Sequence, residues 1–155
     1  MSFDTPTGTR GSRPPTGLVG RWLDKLMGTR LIRKLFSRFF SFDTLVLTTF
    51  GRKSGTERTT PVCWFPGNDG SWLIVASAGG TATNPSWYYN IASHPDSVQI
   101  EVDGRTVAVT AQQLHGPERA EAWRQITAAA PRFAGFQKKT DRELPVLRLK
   151  PRSGA

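Results

Sequence analysis

Gly51-Arg52-Lys53-Ser54-Gly55-Thr56-Glu57-Arg58-Thr59-Thr60-Pro61 stands between Leu45-Val46-Leu47-Thr48-Thr49 and Val62-Cys63-Trp64-Phe65. Both flanks are β-branched and aromatic, and the Gly/Ser/Lys cluster between them has the composition of a hairpin connection. Two antiparallel strands, near 44–50 and 57–65, follow from this reading. The turn carries Arg52, Lys53 and Arg58 close together. With the backbone N–H groups of Ser54 and Gly55, they make a cradle for a phosphate or carboxylate. A basic hairpin tip that is merely solvated has the same composition, so the segment alone leaves both readings open.

Outward from this hairpin the strand period continues. Pro66-Gly67-Asn68-Asp69-Gly70 is a turn signal, and it leads into a strand near 70–77. Asn84-Pro85 opens a helix with Asn84 as N-cap and Pro85 at the first position, running to about Ser93, where His94-Pro95 stops it. Strands at 97–102 and 105–114 are joined by Asp103-Gly104, a two-residue hairpin pair. Gly116-Pro117 starts a helix to about Ala130, Pro131 a shorter one to about Thr140, and Leu144 to Lys150 reads as a last strand. No βαβ repeat is present, which argues against a doubly wound parallel sheet. About six mostly antiparallel strands would leave open edges unless they close, so the expected fold is an α+β domain over 43–150 built on a small barrel with flanking helices.

Before residue 43 the chain changes character. Residues 1–17 are mostly Thr, Gly, Pro, Ser and Arg, a disordered tail by composition. From 18 to 42 apolar residues recur at helical spacing, and Arg30, Lys34 and Arg38 share one face. This basic amphipathic helix rests either on an anionic membrane surface through 18–40 or on the domain itself.

Charge supports that division. The 155 residues carry a net +9. Eight Lys/Arg against Asp4 and Asp24 put +6 of it in residues 1–42, leaving +3 for the remainder. A mildly cationic body argues against a nucleic-acid partner, which needs basic residues spread over one folded face. One cysteine excludes an internal disulfide. No apolar run is long enough to span a bilayer and no secretory h-region opens the chain, so a cytoplasmic protein is expected.

The titratable set is sparse. His94 and His115 read as punctuation at helix ends, no Cys/His pair has metal-ligand spacing, and no Gly-x-Ser-x-Gly elbow is present. No catalytic residue and no metal ligand can be named. A bound cofactor that carries the reactive atom would remove the need for them. Val75-Ala76-Ser77-Ala78-Gly79-Gly80, a strand ending in small residues, would let a flat ring approach the backbone. Trp87 and Tyr88 either wall in such a ring or belong to the core.

Four ordered segments carry a resemblance: Gly51-Arg52-Lys53-Ser54-Gly55 with Arg58 and Pro61; Ala76-Ser77-Ala78-Gly79-Gly80; Asn84-Pro85-Ser86-Trp87-Tyr88-Tyr89-Asn90-Ile91 with His94-Pro95; and Gln137 to Val146. Over about 40–150 the chain resembles the deazaflavin (F420)-dependent nitroreductase family of actinobacteria. The resemblance implies a split β-barrel related to flavin-binding reductases and binding of coenzyme F420. It implies that Arg52, Lys53, Ser54 and Arg58 hold the anionic tail, and that Thr59, Thr60, Pro61, Val62 and Cys63 line the strand beneath the ring. Val75, Ala76, Ser77 and Ala78 would follow the ring edge, with Ser86, Trp87, Tyr88, Tyr89 and Asn90 as the wall. Phe133 and Phe136 stand where the family often has substrate-side tyrosines, and Ala78 where it often has a lysine.

The function expected is hydride transfer from reduced F420 to a small apolar or aromatic acceptor: a quinone, enone or nitroaromatic. An FMN reductase on the same barrel and a non-catalytic F420 carrier are the alternatives. Either a monomer or a homodimer fits.

Overall fold

The computed structural model describes residues 3–11 and 44–152. The helix expected over 18–42 lies outside them. Among the described residues seven strands form one sheet: β1 Thr44–Phe50, β2 Glu57–Cys63, β3 Phe65–Pro66, β4 Trp72–Val75, β5 Val98–Val102, β6 Arg105–Gln113 and β7 Val146–Pro151. Helices α1 Ser86–Ser93, α2 Gly116–Ala129 and α3 Arg132–Lys139, with a 3-10 turn at Ala78–Gly80, complete the described body.

The strand order is β2-β1-β5-β6-β7-β4-β3, and every pair is antiparallel. The single strand expected over 57–65 is thus two, and the count is seven rather than about six. The break falls at Trp64 and has a topological cause. β2 and β3 form opposite edges of the sheet yet only Trp64 separates them in sequence. A sheet whose two edges are joined by one residue must curl until they meet, which gives the half-barrel and protects both edges.

Alternation along the strands then builds two cores. On β4, Trp72 and Ile74 point into a cluster with Leu45, Leu47, Ile100 and Leu149, inside the curl. Leu73 and Val75 point the other way, to Phe65, Leu114, Ile126 and Phe133 beneath α2 and α3. A strand buried on both faces reads as an unbroken apolar run, as Trp72-Leu73-Ile74-Val75 does. The turn chemistry follows sequence: Asp103 and Gly104 both take positive φ, 52° and 77°, as a two-residue hairpin of this twist requires.

Helix α1 departs from its expected start. Pro85 occupies the cap position, and Ser86 is the first helical residue. Asn84 is turned inward instead: its Oδ1 accepts from Arg142 Nη1 at 2.6 Å and its Nδ2 donates to the Thr5 carbonyl at 2.9 Å. A buried guanidinium needs acceptors more than a helix end open to water needs a cap.

Residues 3–11 make contacts that a featureless tail does not anticipate. Phe3 packs edge-on against Tyr88 at 6.1 Å between ring centroids. Thr5 N–H donates to the Tyr88 hydroxyl at 3.1 Å, and its Oγ1 accepts from Gln113 Nε2 at 2.8 Å. Asp141 accepts from the Thr9 hydroxyl and from the backbone N–H groups of Thr9 and Arg10. These bonds hold its carboxyl at about 2, with the Thr9 hydroxyl the largest cause.

Candidate active site

The β1–β2 connection is built from its ends inward. Phe50 pairs with Glu57, Gly51 N–H donates to the Thr56 carbonyl at 2.8 Å, and Gly55 N–H returns to the Gly51 carbonyl at 2.8 Å with φ of 69°. Gly55 N–H is therefore engaged within the turn and does not face a ligand, a correction to the cradle expected from sequence. Helix α1 fixes the turn from outside: buried Asn90 accepts the Arg52 N–H at 3.1 Å and donates to Thr49 Oγ1 at 3.3 Å. The Arg52 guanidinium lies over the Tyr89 ring, 4.7 Å from its centroid.

The turn forms one wall of a groove of about 950 Å³. Arg52, Lys53, Ser54, Arg58, Thr59 and Thr60 line it from the hairpin, Ser86, Trp87 and Asn90 from α1. Glu57 also lines it, so among the described residues three cations face one carboxylate. Lys53 and Arg58 are exposed, and neither pairs with a carboxylate among the described residues. Such a groove attracts multiply charged anions, since the local potential is the sum of its charges.

A second cavity of about 350 Å³ continues from the groove, sharing Thr60, Pro85 and Trp87 with it. Pro61, Val62, Cys63 and Val75 come from the strands, Ser77 from just before the 3-10 turn, Ala78 and Gly79 from the turn itself, and Arg132, Phe133 and Phe136 from α3. The turn lies close to the chain: Ala78, Gly79 and Gly80 all have positive φ, and a Cβ on Gly80 would sit 2.6 Å from the Phe136 carbonyl. Phe133 is the apolar hinge of this wall, edge-on to Phe65 at 5.6 Å and to Phe136 at 5.5 Å.

Most residues singled out from sequence are thus brought together, and three are not. Ala76 is fully buried, with its N–H on the Pro145 carbonyl and its carbonyl on Arg142. Tyr88 is 1% exposed and turns into the core, its hydroxyl donating to Gln113 Oε1 at 2.7 Å. Tyr89 sits beneath Arg52 and lines neither space. Trp87 belongs to the core cluster and also lines the groove and the cavity.

Cys63 is half-buried, and its Sγ accepts from Arg132 Nη2 at 3.5 Å. Burial pushes its thiol up, only partly offset by the Arg132 charge, so at neutral pH it stays protonated and is no nucleophile. Neither histidine lines the groove or the cavity. Among the described residues no group of His, Cys, Asp and Glu could hold a metal ion.

Two arginines escaped the sequence reading. Arg132 lines the cavity. Arg142, 2% exposed, ties together the segment 76–84 behind the cavity: Nε and Nη2 donate to the Thr81 carbonyl, Nη1 to Ala76 O and Asn84 Oδ1, and Nη2 also to Ser77 O, the one of these groups that lines the cavity. Burial lowers its pKa. An arginine between Asp141 and Glu143 reads as a surface charge and carries no local signal of such a role.

Comparison with known proteins identifies the family. A family model described as F420H(2)-dependent quinone reductase matches residues 27–151. The chain belongs to the F420H2-dependent quinone reductase family. Within that family it is 32% identical over 146 residues to the F420H(2)-dependent quinone reductase Rv1261c of Mycobacterium tuberculosis, covering 84% of this chain and 97% of the relative. A solved F420-H2-dependent reductase (FDR-A) shares 36% identity at a TM-score of 0.63, over 70% of this chain and 94% of that one. A second solved structure, described as a domain-swapped dimer, shares 31% identity at a TM-score of 0.63, over 77% and 97%. The split-barrel expectation and membership of an F420-dependent reductase family both hold.

Proposed function

We propose that this chain is a reductase that takes F420H2 as its hydride source and a flat, electron-poor acceptor, a quinone foremost, as its substrate. The observation that carries this reading is the junction of a cationic groove with a mostly apolar cavity at Thr60, Pro85 and Trp87. A phosphate and oligoglutamate tail fits the first space, and a flat ring the second. The residues present suit the group: three cations against one carboxylate exceed the demand of a lone phosphate, which favours F420 over FMN.

In this reading Arg52, Lys53 and Arg58 bind the tail, and Asn90 keeps the turn in place. The small residues Ser77, Ala78 and Gly79 let the ring lie against backbone. Trp87, Phe133 and Phe136 exclude water from its face. The bound cofactor supplies the hydride. Enones and nitroaromatics share the flatness and electron poverty of quinones and are tested beside them. The alternative of an F420 carrier without turnover is separated by one experiment: anaerobic reoxidation of F420H2, followed by fluorescence, with menadione as acceptor. Turnover supports a reductase; tight binding without turnover supports a carrier.

Peripheral membrane contact through residues 18–40 belongs to the same proposal, supported by the +6 charge of residues 1–42. Among the described residues no helix is long and apolar enough to cross a membrane. Salt-reversible sedimentation with anionic vesicles tests it. Size-exclusion chromatography with light scattering distinguishes a monomer from a homodimer.

A further inference from the structure

We propose that Arg132 receives the negative charge that develops on the acceptor oxygen, an inference that rests on the reductase reading above. Among the described residues Arg132 is the only charged side chain lining the 350 Å³ cavity. It opens α3, with its guanidinium 5.6 Å from the Phe133 ring centroid and Nη2 3.5 Å from Cys63 Sγ. These contacts hold the fork against the same wall as Phe133 and Phe136. The other lining groups are apolar, or are hydroxyls and a thiol with little charge to offer.

The chemistry requires such a group. A quinone that accepts a hydride, two electrons and one proton's mass, from the reduced deazaflavin becomes a quinol monoanion. One oxygen then carries the charge until it takes a proton from water, and the cofactor, having given up the hydride, releases its remaining exchangeable proton to water, giving the quinol and the oxidised cofactor. No side chain lining the cavity titrates near neutrality, since Cys63 is held protonated above its ordinary value. Stabilisation of the oxyanion by a fixed cation therefore replaces proton donation by an acid. An arginine does this without losing its own proton.

Binding and turnover both test this, with oxidised F420 present for binding. The probe is 2-hydroxy-1,4-naphthoquinone, an enolate anion at neutral pH, compared with neutral menadione through quenching of tryptophan fluorescence. The protein should bind the enolate about tenfold or more tighter than menadione, and Arg132→Met should abolish that preference, with a loss of about 10- to 100-fold for the enolate and under about threefold for menadione. Arg132→Lys should retain most of the preference. With menadione as substrate, kcat should fall about 10- to 100-fold in Arg132→Met while F420 affinity is unchanged. Should Arg132→Met not fold, Arg132→Gln carries the same expectation. Equal enolate preference in parent and variant overturns the inference while leaving the reductase reading intact. A parent protein that binds no F420 overturns the reading and the inference with it.

Discussion

Replacing Arg142 by Met should destabilise the protein by about 3–5 kcal/mol. The guanidinium serves four acceptors: the Ala76, Ser77 and Thr81 carbonyls and Asn84 Oδ1, at 2.6 to 3.2 Å. Methionine fills a similar volume, so the loss is polar rather than a cavity. Each buried acceptor left without a donor costs about 1–3 kcal/mol. Ser77 is only half-buried beside the cavity and can turn to water, so the lower end of that range applies to it. Three buried acceptors and Ser77, each at about 1 kcal/mol, the low end of that range, give the stated figure. A domain of this size commonly has about 5–15 kcal/mol in total. Urea unfolding followed by circular dichroism measures it, with the m-value unchanged and Tm lowered by about 10 °C or more. The turn Ala78–Gly80 should loosen first, so cofactor affinity should fall even well below the unfolding midpoint. A stability within about 1 kcal/mol of the parent would refute the claim that this arginine fastens the segment 76–84 behind the cavity.

Other outcomes follow from the same geometry. Lys53→Ala and Arg58→Ala should each weaken F420 binding about 10- to 100-fold in fluorescence titration, with the larger loss for longer glutamate tails. His94→Gln and His115→Gln should leave menadione turnover within a few-fold, since neither lines the site; a fall beyond about a hundredfold would reveal a missed acid or base. Asp141→Asn should raise amide exchange over residues 8–11 at neutral pH. Because the Asp141 carboxyl is held at about 2 against an ordinary 3.8, its grip on Thr9 and Arg10 is complete above 3.8 and is lost as pH falls through about 2.

The parts of this fold that were legible in sequence are those that local chemistry determines. Asp103-Gly104 and the 66–70 turn announce themselves because few residues tolerate their backbone angles. The break at Trp64 was not legible: Val62-Cys63-Trp64-Phe65 is locally uninterrupted strand, and only closure of the sheet, a long-range event, divides it. Arg142 was missed and Asn84 misplaced for a related reason. Each is a polar residue whose partner lies far along the chain, 58 positions apart, and burial of such a pair leaves no periodic trace. Phe3 and Thr5 were hidden by composition, since a Thr/Gly/Pro segment can dock through backbone groups that every sequence possesses. Most of the candidate site was legible because it combines a basic hairpin tip with a run of small residues. Arg132 was not, because one cation at a helix start resembles any solvated surface charge.

Side-by-side equilibrium titration with F420 and FMN tests the central claim most directly, read by deazaflavin and flavin fluorescence at two salt concentrations. A groove with Arg52, Lys53 and Arg58 facing Glu57 predicts that F420 binds at least about tenfold tighter than FMN, more tightly as its glutamate tail lengthens, and more weakly as salt rises. FMN binding as tight as F420, or F420 affinity indifferent to both tail length and salt, would contradict it.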